Sequence, residues 1–389
     1  MKYHSFQEVV YFQEGPGVRN WQFRPNGVKL INIRNIVDNN IDLSNTFNFL
    51  SEEEVESKYK HFLCNEGDYL MASSGVTWGK IAIVKNEHLP LCLNTSIIRL
   101  VSIDEGVLNK KYLYHFITSY SFTSQIEKLI TGSAQPNFGP SHLRKVKIPV
   151  PALPIQHQIV SELDTLIDII TKKKQQLADL DTLAQATFYD MFGDPVNNEK
   201  GWEVKPLNKI TKVGTGGTPS RTREQEFYNG NINWAKTTEV NGNYILDTEE
   251  KITDLALAES NCKVFPIGTI LLAMYGQGKT RGNVGFLKIK AATNQACAAI
   301  PPNEEMNQVF LFEHLKTLYL YLRGLARGGN QENLNLNIVG NIKIILPPKF
   351  LQSFFSEKIE SIEKQKQLIN QSIADVQQLF DYTMDKYFN

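Results

Sequence analysis

Along this chain the apolar positions change period, and the change is made twice in the same order. Short alternating or wholly apolar runs come first, punctuated by Gly, Asn and Asp. This is the pattern of strands and turns. It predicts strands over 28–36, 80–84 and 96–100 in the first half and over 232–236, 283–287 and 298–300 in the second. One helix is predicted after each set, over 111–129 and 309–325. A last strand then runs into prolines: Pro149, Pro151 and Pro154, or Pro347 and Pro348.

Past the prolines the period becomes helical. Ile159, Leu163, Leu166, Ile170, Leu177, Leu180, Ala184 and Met191 follow a four-three spacing, interrupted by Lys173 and Thr187. A second run holds Phe355, Ile359, Ile362, Ile369, Ile373, Val376, Phe380 and Tyr387, interrupted by Lys366 and Thr383. So narrow a stripe over about five heptads favours a coiled-coil seam over its alternative, a bundle helix buried in one core. Two matched helices in one chain pack most simply on each other. From Ile159 to Met191 the helix extends roughly 50 Å at 1.5 Å per residue, a stiff spacer between two globules. Gly193 and Pro195 end it. A seam lysine sets register at some cost, its stem packing while the ammonium reaches water.

The repetition extends to individual residues. Gly67-Asp68-Tyr69-Leu70-Met71-Ala72 matches Gly268-Thr269-Ile270-Leu271-Leu272-Ala273, and Asn94 matches Asn294. Gln135 and Asn137 match Gln331 and Asn333, and Lys147-Ile148 matches Lys343-Ile344. The offset drifts only from 201 to 196, as small loop deletions produce. A duplicated chain presents two similar surfaces to a pseudo-symmetric target.

At 389 residues, 42% of them hydrophobic, the chain suits two globules with real cores. No apolar run is long enough to span a membrane, and residues 1–8 lack a secretory leader. Cys64, Cys92, Cys262 and Cys297 form no CxxC pair. They read as reduced thiols of a cytoplasmic protein. Formal net charge is zero, but the segments differ: +2 over 1–150, +4 over 200–348, −5 over 151–199 and −1 over 349–389. The globular halves therefore tolerate a polyanion without demanding one.

Catalytic signatures are missing. Gly276-Gln277-Gly278-Lys279-Thr280 has Ala273 where a P-loop needs glycine, and its counterpart Ser74–Lys80 is no P-loop either. Gly214-Thr215-Gly216-Gly217-Thr218-Pro219 lacks dinucleotide spacing and reads as a flexible turn. The seven histidines show no HxH or HExxH spacing, and no G-x-S-x-G elbow occurs. A DNA methyltransferase with a fused recognition domain would need an Asn/Asp-Pro-Pro-aromatic motif, and Asp194-Pro195-Val196 is not one. A pure coiled-coil scaffold would leave two elaborate globules unexplained. A binding protein fits better than either. Residues able to read base edges and phosphates sit in the matched loops: Thr77, Lys80, Gln135 and Asn137 in the first half, Lys279, Arg281, Gln331 and Asn333 in the second. Residues that differ between the halves are equal candidates: Arg19, Arg24 and Arg34 against Arg221, Arg223 and Lys236.

Taken together, these motifs are similar to those of the specificity subunit of type I restriction-modification systems. The likeness spans the chain and rests on Gly67-Asp68 through Gly79-Lys80, Leu93-Asn94, Gly132-Ser133-Ala134-Gln135-Pro136 and Ile148-Pro149-Val150-Pro151 leading to Gln158-Ile159-Val160. It rests equally on Met191-Phe192-Gly193-Asp194-Pro195 before Gly201-Trp202-Glu203, and on Ala292-Thr293-Asn294-Gln295-Ala296. The resemblance implies an α+β chain with two similar mixed α/β target recognition domains, joined by two long helices packed as a coiled coil in a pseudo-two-fold internal repeat. It puts the first recognition domain at 1–150, the first helical spacer at 151–195, the second domain at 200–348 and the second spacer at 349–389. It also implies a non-catalytic, cytoplasmic subunit that binds no cofactor or metal and reads a bipartite site in double-stranded DNA. The expected partners are two methyltransferase (modification) subunits, which carry S-adenosylmethionine and methylate adenine, and restriction subunits, which use ATP to translocate and cut DNA. One departure is that the second spacer lacks the Pro-x-x-x-Gln-x-x-Ile form read at Pro154–Ile159, keeping only Pro348 with Gln352.

Overall fold

The computed structural model describes residues 2–44, 48–130, 137–276, 278–325 and 333–389. They form two compact units, Met1–Lys174 with Gln371–Asn389, and Gln175–Asn370.

In the first unit, the wholly buried strand Tyr69–Ala72 lies between Ile97–Ser102 and Ile81–Ile83, and Val10–Glu14 extends the sheet beyond Ile97–Ser102. A second sheet centres on Val28–Leu30, antiparallel to Asn48–Leu50 and parallel to Leu91–Cys92. Tyr3–Ser5 pairs with Lys147–Pro149 and ties the start of the unit to the strand before the prolines.

The second unit repeats this plan. Ile270–Ala273 lies between Cys297–Ile300 and Val284–Leu287, with Gly214–Thr215 and Tyr244–Ile245 at the edges. Tyr228–Ala235 is antiparallel to Glu250–Ile252 and parallel to Ala292–Thr293. Glu203–Pro206 pairs with Lys343–Leu346. The internal repeat is thus one of strand order and direction as well as of sequence.

Each predicted helix proves to be two. Lys110–Ile117 and Tyr120–Leu129 are separated at Ser119, whose hydroxyl caps the second helix by accepting from the Phe122 N–H. Gln308–Thr317 and Tyr319–Leu325 break at Leu318. Hydroxyl side chains compete with the helical ladder, a local effect that apolar periodicity does not register. The segment 214–219 is no flexible turn either. Gly214–Thr215 is a strand, and the Gly217 N–H donates to the Thr293 carbonyl at 2.9 Å. Gly216 is required there, because a Cβ would lie 1.7 Å from the Thr293 oxygen.

The long helices are Leu153–Phe192 and Lys349–Phe388. Every seam position predicted in both is buried or half-buried. In the first unit Ile159, Val160 and Leu163 join Met384 and Phe388 in one core with Tyr112 and Phe116. In the second unit Ala184, Phe188 and Phe192 meet Phe355, Ile359 and Ile362 over Phe310. The Lys366 side chain is half-buried at the seam, and its ammonium is paired. It bonds Asp181 and Glu363, both at 2.8 Å, and these bonds hold its pKa up against burial, which pulls it down. At Gly193 (φ +74°) the first helix stops, a left-handed cap that suits glycine. The four cysteines are buried and unpaired. No helix among the described residues is long and apolar enough to cross a membrane.

Candidate nucleic-acid interface

In each unit one inner strand of the larger sheet, Tyr69–Ala72 or Ile270–Ala273, is joined to its neighbour, Ile81–Ile83 or Val284–Leu287, by a loop that a distant segment clamps. In the first unit that loop is 73–80. Its neck closes through the Gly79 N–H to Ala72 and the Ala72 N–H to Lys80, both at 2.8 Å. Asn137 forms an isolated antiparallel bridge with Ser74, and the Phe138 N–H donates to the Ser73 carbonyl at 3.0 Å. Trp78 packs edge-on against Phe138, with ring centroids 5.9 Å apart. Beyond this anchor the tip is bare, and Val76 is 97% exposed. Thr77, Lys80 and Asn137 are therefore brought together.

The second unit builds the same neck from different residues. The Gly282 N–H donates to Ala273 and the Ala273 N–H to Asn283, both at 2.9 Å. The Leu334 N–H donates to the Met274 carbonyl at 3.1 Å, as Phe138 does to Ser73. Tyr319 Oη donates to the Lys279 carbonyl at 2.8 Å, and Arg323 donates to the Arg281 carbonyl at 3.2 Å. Lys279, Arg281 and Asn333 thus share one loop cluster, with Lys279 and Asn333 exposed and Arg281 half-buried. Gln135 and Gln331 lie outside the described residues.

The six remaining basic candidates lie apart from these loops, around the smaller sheets, and their states differ between units. Arg19 and Arg34 are exposed in short turns of the first unit. Arg24 turns back on the Trp21 and Phe23 carbonyls at 3.0 Å, leaving Trp21 72% exposed. Buried Gln22 fixes that turn by donating to Glu54 and to Tyr59 Oη and accepting from the Arg19 N–H.

The second-unit trio is already neutralised. Arg221 stacks 3.9 Å from the Tyr228 ring and pairs with Glu224 and Glu250. Lys236 pairs with Glu249 at 3.0 Å and Glu250 at 2.9 Å. Arg223 stacks on Phe227 and pairs with Glu226 and Glu259. The hydrogen bond from Lys236, helped by a lesser one from Arg221, holds the Glu250 carboxyl below its usual range against the upward push of burial. Exposed pairs of this kind contribute little stability, about 0–1 kcal/mol each, but they do occupy the cations.

Two features of the site's framework escape sequence reading. Gln156 is fully buried. It accepts from the Asn109 N–H and donates to the Val107 and Pro151 carbonyls, all at 2.8 Å. Gln352 does the same in the second unit, accepting from the Asn307 N–H at 2.9 Å and donating to the Pro347 carbonyl at 2.8 Å. Asn109 and Asn307 in turn cap the helices Lys110–Ile117 and Gln308–Thr317. The shared residue of the two spacer starts is therefore this glutamine, five residues past a proline whose carbonyl it holds, at the matched offset. The pattern beginning at Pro154 is not the relevant one. Among the described residues no group of three or more His, Cys, Asp or Glu could hold a metal ion.

Comparison with known proteins identifies the plan. The family model of the type I restriction modification DNA specificity domain matches twice, over residues 8–180 and 199–378. The MjaIX type I restriction enzyme specificity subunit of Methanocaldococcus jannaschii is 27% identical over 323 residues, covering 77% of this chain and 73% of that protein. Two solved structures share the fold. The S subunit of a type I restriction-modification system from M. genitalium has a TM-score of 0.54 at 15% identity, covering 100% of this chain and 96% of that one. A chain from a structure on complex assembly and conformational transition of the type I R-M system has a TM-score of 0.60 at 16% identity, covering 99% and 97%.

Proposed function

The chain belongs to the type I restriction modification DNA specificity family, and from that premise we propose that it is the non-catalytic subunit that reads a bipartite site in double-stranded DNA for a type I restriction-modification complex. Residues 1–150 read one half-site and residues 200–348 the other. Residues 151–195 and 349–389 dock two methyltransferase subunits and the restriction subunits, in the cytoplasm. The observation that carries this reading is the loop built twice, with the same clamp and different tips. Ser73–Phe138 and Met274–Leu334 make equivalent backbone bonds, while Thr77, Lys80 and Asn137 give way to Lys279, Arg281 and Asn333. A repeated frame with divergent polar tips suits two half-sites of different sequence. Each reader alone would bind weakly, and coupling them multiplies affinity.

Genome-wide methylation mapping with the chain present and deleted tests the reading. Deletion abolishes adenine methylation at one motif made of two specified halves around an unspecified gap. Methylation that survives deletion, or a single contiguous motif, overturns the proposal. Binding of S-adenosylmethionine by the isolated chain would contradict the non-catalytic assignment.

A further inference from the structure

Beside the second unit's clamp lies a groove of 570 Å³ lined by Asn208, Lys209, Thr211, Lys212, Leu336 and Asn337 among others. No carboxylate is among its lining residues. We propose that it seats the sugar-phosphate backbone of duplex DNA at the half-site read by the second unit. This rests on the DNA-reading function above and adds the surface that holds the strand.

Lys209 and Lys212 are exposed and, unlike Arg221, Arg223 and Lys236, form no ion pair with any described residue. Asn337 Oδ1 accepts from Asn341 Nδ2 at 3.1 Å, which leaves the Asn337 amide to donate outward. Two ammonium groups and an amide donor, with no anion to compete, make a lining suited to phosphate oxygens. The groove also lies close in sequence to the candidate loop cluster. Leu336 is three residues past Asn333, a span of at most ~10 Å, or about three nucleotides of one strand. A duplex touching Asn333 therefore brings a phosphate within reach of the groove.

The matched surface of the first unit carries different residues. Phe6 and Leu207 occupy matched positions, their N–H groups donating to Val146 and Ile342 at 2.9 Å. In that register Gln7, Glu8 and Tyr11 stand where Asn208, Lys209 and Lys212 do. Glu8 is engaged with the Ser5 N–H and His4.

The test measures binding of the full chain, in complex with its methyltransferase subunits, to a duplex carrying the mapped motif and to a scrambled duplex, across a salt series. Lys209→Gln and Lys212→Gln each lower the slope of log affinity against log salt by about 1, and by about 2 together. They weaken both duplexes by the same factor and leave the methylated motif unchanged. Lys209→Arg with Lys212→Arg keeps the wild-type slope, and thermal midpoints matching the wild type exclude misfolding. An unchanged slope in the double glutamine variant overturns the groove while leaving DNA recognition intact. A changed motif in one half-site also overturns it, since the lysines would then be reading bases. Failure of the wild-type complex to bind either duplex would strike the underlying function instead.

Discussion

His314 is fully buried against Phe188 and Phe310. Its Nε2 accepts the Ile345 N–H at 3.3 Å, and Nδ1 has no hydrogen-bond partner among the described residues. Burial drives its pKa down to about 3 from 6.5. A group with a depressed folded pKa stabilises fully above its unfolded value and loses that contribution as pH falls. The window runs from about 6.5 down to about 3. Between pH 7 and pH 5 this one residue removes about 2 kcal/mol. His314→Gln retains an acceptor but takes up no proton, so its unfolding free energy falls less over that interval than the wild type's. Denaturant titrations of both proteins at both pH values measure the difference, and equal losses would show that His314 does not carry the acid sensitivity. The matched His115 is a weaker lever. Burial lowers its pKa too, but Asp164 at 2.8 Å offsets part of the effect. Nothing in the sequence separates these two histidines, because the aromatic cage and the absent carboxylate exist only after folding.

At the scale of elements, the seam was legible because a coiled-coil face maps directly onto a four-three spacing, and all its positions are covered. Phe188 and Phe192 were not legible. They lie beside the seam and are buried by Phe310 of the globular part rather than by the partner helix alone. Gln156 was missed for a similar reason. Between Ile155 and His157 it reads as a solvated helix residue, yet its partners Val107 and Asn109 come from far along the chain. Removing its side chain strands buried donors and acceptors, so Gln156→Ala costs about 2–4 kcal/mol. Gln352→Ala has the same consequence in the second unit. Hydrogen exchange should show faster opening within Met1–Lys174 and Gln371–Asn389 for the first variant, and within Gln175–Asn370 for the second. Unchanged exchange in the altered unit would mean that these glutamines do not anchor the helix starts. Among the candidate readers, the loop residues were found by repetition. The pairing of Arg221, Arg223 and Lys236 with glutamates was hidden, because Glu250 and Glu259 lie well downstream and reach them only through the fold.

For the whole molecule, a duplicated reader should be modular. Replacing residues 200–348 by the corresponding segment of a relative should change one half of the methylated motif and leave the other as it was. The structure sets a condition on the junctions. Phe310 stacks on Phe188 at 5.8 Å, meets Phe192 and Phe355 edge-on, and caps the same core as His314. The incoming segment must therefore supply an aromatic ring at the position of Phe310 and an asparagine at that of Asn307, whose Oδ1 accepts from the Val309 and Phe310 N–H groups and from Ser356 Oγ. Where it does not, residues 175–199 and 349–370 have to travel with it, so that the whole compact unit is exchanged. Methylation mapping of the chimaera decides the matter. A new second half-site beside an unaltered first one supports independent readers. A motif altered in both halves, in a chimaera with wild-type thermal stability, would mean that the two repeats read DNA jointly, and the assignment of one half-site to each would be lost.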